Sequence, residues 1–345
     1  MNPPGKETTI YDIAEKLNIS PSTVSRGLKD HPGINKNTKK KILNMATEMG
    51  YRSNSFASNL RKKNSNIIGV IVPRLNSSFM SDVIAGIEKV ANEANYTLFI
   101  SQSLECMTKE ISNAKAMFNN RVDGLLVSLA YDTSNIDHFE SFTNRDIPVV
   151  FFDRIYEQKK YPSIYINNYR AAYDLVTHLI EQGCKRIVHV SGNQMQNVYA
   201  ERTRGYRKAL KDHRIPYSDE LLIINDLSKE SALEAADTIL NMVERPDAVF
   251  SANDLSAINC MLAIKAAGLK IPADIAFAGF NNDPVSSVIE PHLTTVDYNG
   301  FEMGEFTAKI MIDHLASPHG LQRTHNLILG SELIIRESSL KKNIT

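Results

Sequence analysis

Over the first fifty residues apolar side chains recur at helical spacing. Ile10, Ile13, Ala14 and Leu17 form one stripe, Val24 and Leu28 a second, and Ile42, Met45, Ala46 and Met49 a third. Three short amphipathic helices are predicted. Their starts are marked by Thr9 with Asp12 three residues on (a shortened capping box), by Ser20 ahead of Pro21 at the first helical position, and by Asn35. Asn18-Ile19 makes the turn between the first two, and Gly50 supplies the left-handed residue that closes the third.

From Ile67 the period changes. Short β-branched runs alternate with longer amphipathic stretches, as parallel α/β layers require. Strands are predicted at Ile67–Val72, Tyr96–Ile100, Gly124–Ser128 and Pro148–Phe152, with helices at Phe79–Asn95 and Lys109–Arg121. A second round follows, with strands at Arg186–Val190, Leu221–Ile224, Ala248–Ser251 and Ile275–Gly279. Its helices are Asn168–Gln182, Glu201–Asp212, Lys229–Val243 and Leu255–Ala267, with Gly183 and Gly268 as helix stops. Two similar halves imply a two-lobed, doubly wound α/β body. The chain is expected to cross between lobes near Ser163–Asn167, Pro291–Val296 and Asn326. Ligands in such sheets bind at the carboxyl ends of strands, which places a site in the interlobe cleft.

The first module has chemistry of its own. With Val24 and Leu28 turned inward, Pro21, Ser22, Ser25 and Arg26 face outward along the second helix. Small polar side chains and one Arg suit the DNA major groove, where Arg26 has the reach for guanine O6/N7 or for a phosphate. Charge agrees. Residues 1–64 hold twelve Lys/Arg against five Asp/Glu, and the remainder holds 27 against 34, so a net charge of zero hides a basic module on an acidic body. Lys39, Lys40 and Lys41 read equally as solvated side chains or phosphate contacts. Asn54–Leu60 has the length of about two helical turns, too short to be stable alone. It is expected to fold only with DNA and a second copy present, with Arg61-Lys62-Lys63 close to the DNA backbone.

Other classes fit poorly. The composition, 43% hydrophobic and 23% charged over 345 residues, is that of a globular protein too long for one small domain. No apolar run reaches the roughly 18 residues of a membrane span, and residues 1–17 lack an apolar signal core, so a cytoplasmic protein without membrane contact is expected. Cys106, Cys184 and Cys260 form no CxxC pair and read as free or buried thiols. There is no GxGxxG after a strand, no P-loop, no GxSxG elbow and no HExxH. His178, His189 and His213 stand at no ligand spacing. Neither catalysis, a metal nor a cofactor is expected.

The runs TIYDIAEKLNISPSTVSR, GINKNTKKKILNMATEMGY, NSFASNLR and IIGVIVP, in this order, resemble the lactose-repressor (LacI/GalR) family of bacterial transcription regulators. The likeness continues through RVDGLLV, IPVVFFDR, ERTRGYRKAL, SANDLSA, ADIAFAGFNND, PHLTTVDYN and SELIIRES, so it covers nearly the whole chain. It implies a helix-turn-helix module over residues 1–52, a hinge helix over 53–64, and a periplasmic-binding-protein-like effector and dimerisation domain over 65–345. The N-lobe would take 65–163 and 296–326, the C-lobe 164–295 and 327–340. Tyr11, Pro21, Ser22, Thr23, Ser25, Arg26, Asn35, Asn54, Ala57 and Leu60 would contact double-stranded DNA, with Ala57 where two hinge helices meet and Leu60 wedged into the central minor-groove step.

Phe79, Asp153, Arg154, Arg202, Asn253, Asp254, Asn281 and Tyr298 would contact the effector. Their chemistry supports this: strand-end Asp and Asn pair with vicinal hydroxyls, Arg202 is a forked donor, and Phe79 can stack on a sugar or base. Asn253-Asp254 reads equally as a helix cap, and Arg154 equally as a lobe-surface ion pair. The chain departs from the family at Asn281, where an acid is common, at Leu227, where an aromatic often covers the ligand, and at Asn76-Ser77-Ser78-Phe79-Met80. The resemblance implies a homodimeric repressor of a pseudo-palindromic operator, switched by a small molecule. A sugar or sugar derivative is the first expectation, and a purine or a protein-controlled cleft the second.

Overall fold

The computed structural model describes residues 8–51, 64–156, 161–317 and 326–341. The chain divides into two compact units, Met1–Ser65 and Asn66–Thr345. The expected hinge segment with Asn54, Ala57 and Leu60 lies outside the described residues.

The first unit holds α1 (Ile10–Leu17), α2 (Pro21–Leu28) and α3 (Lys36–Glu48). The Thr9 and Asp12 side chains cap each other's backbone, with Thr9 N–H donating to the Asp12 carboxylate at 2.7 Å. Ser20 and Asn35 accept the first free amides of α2 and α3, from Thr23 and Asn37. Asn18, at φ 52°, takes the left-handed turn between α1 and α2. The three apolar stripes meet in a small core of Ile13, Ala14, Val24, Ile42 and Ala46, flanked by Ile10, Leu17, Leu28, Met45 and Met49.

The second unit starts with β1 (Ile67–Val72), α4 (Ser78–Glu93), β2 (Thr97–Gln102), α5 (Met107–Asn119), β3 (Gly124–Val127), the short α6 (Glu140–Thr143) and β4 (Val149–Phe152). Next come β5 (Ser163–Ile166), α7 (Asn168–Glu181), β6 (Ile187–Ser191), α8 (Asn197–Asp212), β7 (Leu222–Ile224), α9 (Lys229–Leu240), β8 (Ala248–Ser251), α10 (Asp254–Ala266) and β9 (Ala276–Ala278). β10 (Thr295–Asp297), α11 (Gly300–Ala316), β11 (Asn326–Leu329) and β12 (Glu332–Ile334) complete it. One six-stranded parallel sheet runs β11-β5-β4-β3-β1-β2, and a four-stranded parallel sheet runs β7-β6-β8-β9. β10 and β12 pair antiparallel. Helices cover both faces of each sheet, which is why β1, β3, β4, β6 and β8 are almost wholly buried.

Sheet order reverses at β1/β3 and again at β6/β8, and these switch points open the loops at the carboxyl ends of the strands. α4 and α11 cross at glycines. A Cβ on Gly86 would sit 2.1 Å from the Phe301 carbonyl, and one on Gly304 would sit 2.0 Å from that of Val83.

The predicted strands and helices recur within a few residues, and α8 begins four residues early, at Asn197. Six elements were not anticipated: β5, the short α6, β10, α11, β11 and β12. Ser163–Ile166, expected as a crossing, is instead a strand of the first sheet between β4 and β11. The crossings follow it at 166–168, 297–300 and 329–332, so 164–166 and 327–329 belong with the first lobe. β5, β10, β11 and β12 flank the crossings between lobes, where the strand-helix alternation that marks the other short strands is interrupted. Glycines inside α11 lower helix propensity, and only the close approach to α4 offsets that cost.

Candidate DNA-reading face and interlobe cleft

On α2 the Ser20 cap also gathers its neighbours, with the Ser22 and Thr23 hydroxyls each 2.8 Å from its Oγ. Ser22 and Arg26 are exposed, Pro21, Thr23 and Ser25 half-buried, and Tyr11 on α1 is 68% exposed. Asn35 is exposed but spends its Oδ1 on the α3 cap. Lys39 is committed within the module: its Nζ bonds Asp30 Oδ1 at 2.6 Å and holds that carboxyl below its ordinary pKa. Lys40 and Lys41 stay exposed.

In the second unit the strand-end loops enclose a cleft of about 610 Å³. Phe79, Asp153, Arg154, Arg202, Asn253, Asn281 and Tyr298 all line it. Phe79, from the first turn of α4, and Tyr298, just past β10, form an aromatic wall with ring centroids 4.6 Å apart. Tyr298 OH donates to Asn281 Oδ1 at 3.1 Å. Arg202, on α8 and 3% exposed, donates from Nε to Asn168 Oδ1 at 2.8 Å and from Nη1 to the Ala252 carbonyl at 2.6 Å. Its guanidinium lies 3.6 Å from the Phe280 ring centroid. Arg154 forms a forked pair with Glu105, at 2.6 and 3.3 Å, rather than a pair on the lobe surface.

Burial sets the protonation tendencies. It pushes the Asp153 carboxyl up, against the pull of Arg154 and Arg202, and raises Asp283. Hydrogen bonds from Ser228 and Ser231 pull Asp226 down. Backbone strain gathers here too: Asp153, Leu227 and Asn281 adopt φ of 58°, 58° and 107°.

Asp254 is the exception among the expected contacts. It is fully buried beneath the cleft, accepting from Thr295 Oγ1 and from the Asp283 amide, each at 2.7 Å. Burial, followed by the Asp283 charge, raises its pKa to about 7. A carboxylate one residue into a helix turns back into the lobe, while Asn253 both caps α10 and lines the cleft. Sequence reasoning missed Arg74, Glu105, Tyr131, Tyr199, Asp226 and Asp283 as lining residues. Arg74, Glu105 and Tyr131 follow β1, β2 and β3, so the strand-end rule applied to every loop would have found them. Among the described residues no helix is long and apolar enough to cross a membrane, and no cluster of side chains could hold a metal.

Residues 9–54 match the model of bacterial regulatory proteins of the lacI family, and 176–339 match a periplasmic binding protein-like domain. Catabolite control protein A of Priestia megaterium is 30% identical over 308 residues, 89% of this chain and 92% of that protein. The transcriptional repressor CytR of Escherichia coli K12 is 29% identical over 334 residues, 96% of each. The fold matches the crystal structure of the Lac repressor dimer bound to operator and the anti-inducer ONPF, with 26% identity, a TM-score of 0.83, and 97% and 100% of the two chains covered. These relatives are transcription regulators, not enzymes. A helix-turn-helix unit joined to a lobed, cleft-bearing body is thus explained along its whole length: the chain belongs to the LacI family of bacterial transcription regulators.

Proposed function

We propose that the protein is a cytoplasmic repressor that binds a pseudo-palindromic operator as a homodimer and is switched by a sugar or sugar derivative in the interlobe cleft. The observation that carries the effector reading is the cleft lining. Asp153, Asn253 and Asn281 supply donors and acceptors at strand ends, and Arg202 reaches the cleft from α8, beside the Phe79–Tyr298 wall. Vicinal hydroxyls need paired donors and acceptors, and a sugar's C–H face packs on an aromatic ring. Two copies joined through their bodies present two α2 helices to two half-sites. The Lac repressor structure that the chain resembles is a dimer on operator with a small molecule bound, which supports this arrangement.

Ligand closure would shift one lobe against the other and bias the hinge segment over 53–64. Asn54, Ala57 and Leu60 would then act on the minor groove. On α2, Pro21, Ser22, Thr23, Ser25 and Arg26 would read the major groove, assisted by Tyr11 and Asn35. A purine is the second reading, favoured by the same Phe79–Tyr298 pair, which suits a flat base.

A thermal-shift screen of the full chain against monosaccharides, uronic acids, sugar phosphates and nucleobases tests it. A ligand at 100 times its Kd adds about 2.7 kcal/mol and raises Tm by a few degrees. A sugar that does so and also changes operator affinity supports the first reading. A nucleobase alone selects the second, and silence across the panel removes both.

A further inference from the structure

Glu105 belongs to none of the contacts read from sequence, yet it joins four loops. Leu104 and Glu105 are successive left-handed residues, at φ 52° and 63°. Such strain, of order 1–3 kcal/mol per residue, persists where the surroundings fix it. The carboxylate accepts the Tyr131 amide at 3.1 Å and both Arg154 Nη groups at 2.6 and 3.3 Å, and Arg74 Nε lies 3.6 Å away. These residues follow β1, β2, β3 and β4. One carboxylate therefore ties together the carboxyl-end loops of four adjacent strands.

Two of the tied residues cross the cleft. Tyr131 OH donates to the Asn225 carbonyl at 2.8 Å, and Arg154 Nη2 donates to Tyr199 OH at 3.1 Å. The second lobe grips back: Asn193 Nδ2 donates to the Tyr131 carbonyl at 2.8 Å and Gln196 Nε2 to that of Ala130 at 2.9 Å. From behind, the fully buried Glu110 of α5 accepts the Ala130 amide at 2.7 Å and the Thr133 hydroxyl at 3.0 Å.

We propose that Glu105 is the positioning residue of lobe closure. It holds Tyr131 and Arg154 in the single arrangement from which both reach the opposite lobe. Without the carboxylate, a mostly buried guanidinium loses its counter-charge and the Tyr131 amide loses its acceptor, so both cross-cleft bonds slacken together. The link to effector sensing rests on the reading of the cleft given above, but the geometry does not.

The test is an interlobe distance measurement by pulsed electron spin resonance on the full chain. Spin labels are placed at Lys115→Cys on α5 and Glu234→Cys on α9, in a Cys106→Ser background that leaves only the buried Cys184 and Cys260. The parent should give one narrow distribution. Glu105→Ala should add a second, longer population, with Tm lowered but the cooperative melting transition kept. Glu105→Gln should give a smaller one, since its amide oxygen still accepts from Tyr131 while Arg154 is released. Tyr131→Phe should shift in the same direction, and Glu105→Ala combined with it should move less than the two shifts summed. If Glu105→Ala fails to fold, Glu105→Gln and Tyr131→Phe decide. An unchanged distribution in the folded variants overturns the proposal. The readout uses no effector, so failure of the sugar screen and failure of this clasp are separate results.

Discussion

The two units hold their polar groups in opposite ways. On α2 and α1 the side chains proposed to read DNA face solvent, Arg26 and Ser22 exposed and Tyr11 two-thirds exposed, with Ser22 held only by the Ser20 hydroxyl. In the cleft, the arginines are already engaged, Arg154 with Glu105 and Tyr199, Arg202 with Asn168 and Ala252. A polyanion supplies its own order and strong charge, so a mobile cation can settle on it. A small neutral ligand supplies neither, so its site must be fixed beforehand. On the proposed reading, the same residue type would serve by freedom in one unit and by confinement in the other.

Changes that remove confinement should therefore cost stability, and changes on the free face should not. The largest effect is expected from Gly304→Val, whose Cβ would overlap the Val83 carbonyl. Loss of soluble protein or of the cooperative melting transition is the outcome to look for, and a parent-like melt would show that α4 and α11 can part. Next is Ile42→Ala in the small core of the first unit, at about 2–5 kcal/mol. Chemical denaturation followed in residues 8–51 should show that unit unfolding first, with the body unaffected.

Arg202→Ala should cost roughly 1–3 kcal/mol by leaving Asn168 Oδ1 and the Ala252 carbonyl unpaired, besides any loss of effector response. Equal Tm values for parent and variant would mean that Arg202 is held less firmly than its bonds indicate. Arg26→Ala should leave Tm unchanged while weakening operator binding by about 1–3 kcal/mol if Arg26 grips a base. A gel-shift titration with unaltered affinity would take it out of the recognition set.

A further effect concerns pH. Asp254 is raised to about 7 from an ordinary 3.8, so the folded state holds this proton more tightly than the unfolded chain does. Its contribution is complete below the unfolded value and is lost as pH climbs through about 7. Tm should decline across that window, and Asp254→Asn should flatten the decline. A variant with the parent's slope would assign the proton elsewhere, for instance to Asp283.

The helix-turn-helix unit was legible nearly in full because its information is local. Caps at Thr9, Ser20 and Asn35 and stripes at helical spacing fix which face is free. The cleft was legible in aromatics and amides such as Phe79, Asn253 and Tyr298, which the strand-end rule and the family resemblance together pointed to. Glu105 and Tyr131 were not, because their roles arise from loops 26 residues apart meeting in space. Asp254 misled for the opposite reason. Helix capping fixes the direction of Asn253, but whether the next carboxylate faces the cleft or the lobe interior depends on Thr295, 41 residues on.

The three crossings carry a consequence for synthesis. The chain leaves the first lobe at 166–168, returns at 297–300, and leaves again at 329–332, so each lobe is interrupted by the other. The first sheet's edge strand β11 and the segment with the fully buried Ser338 and Ser339 emerge after all the other strands of the two parallel sheets. Thr294 and Arg336 are joined only then. Until residues 326–339 have emerged, neither lobe can be finished, and an open sheet edge waits for its neighbour. The N-terminal unit, whose contacts span fewer than fifty residues, can be complete long before. A stalled chain would thus present a finished DNA-reading module on an unfinished body.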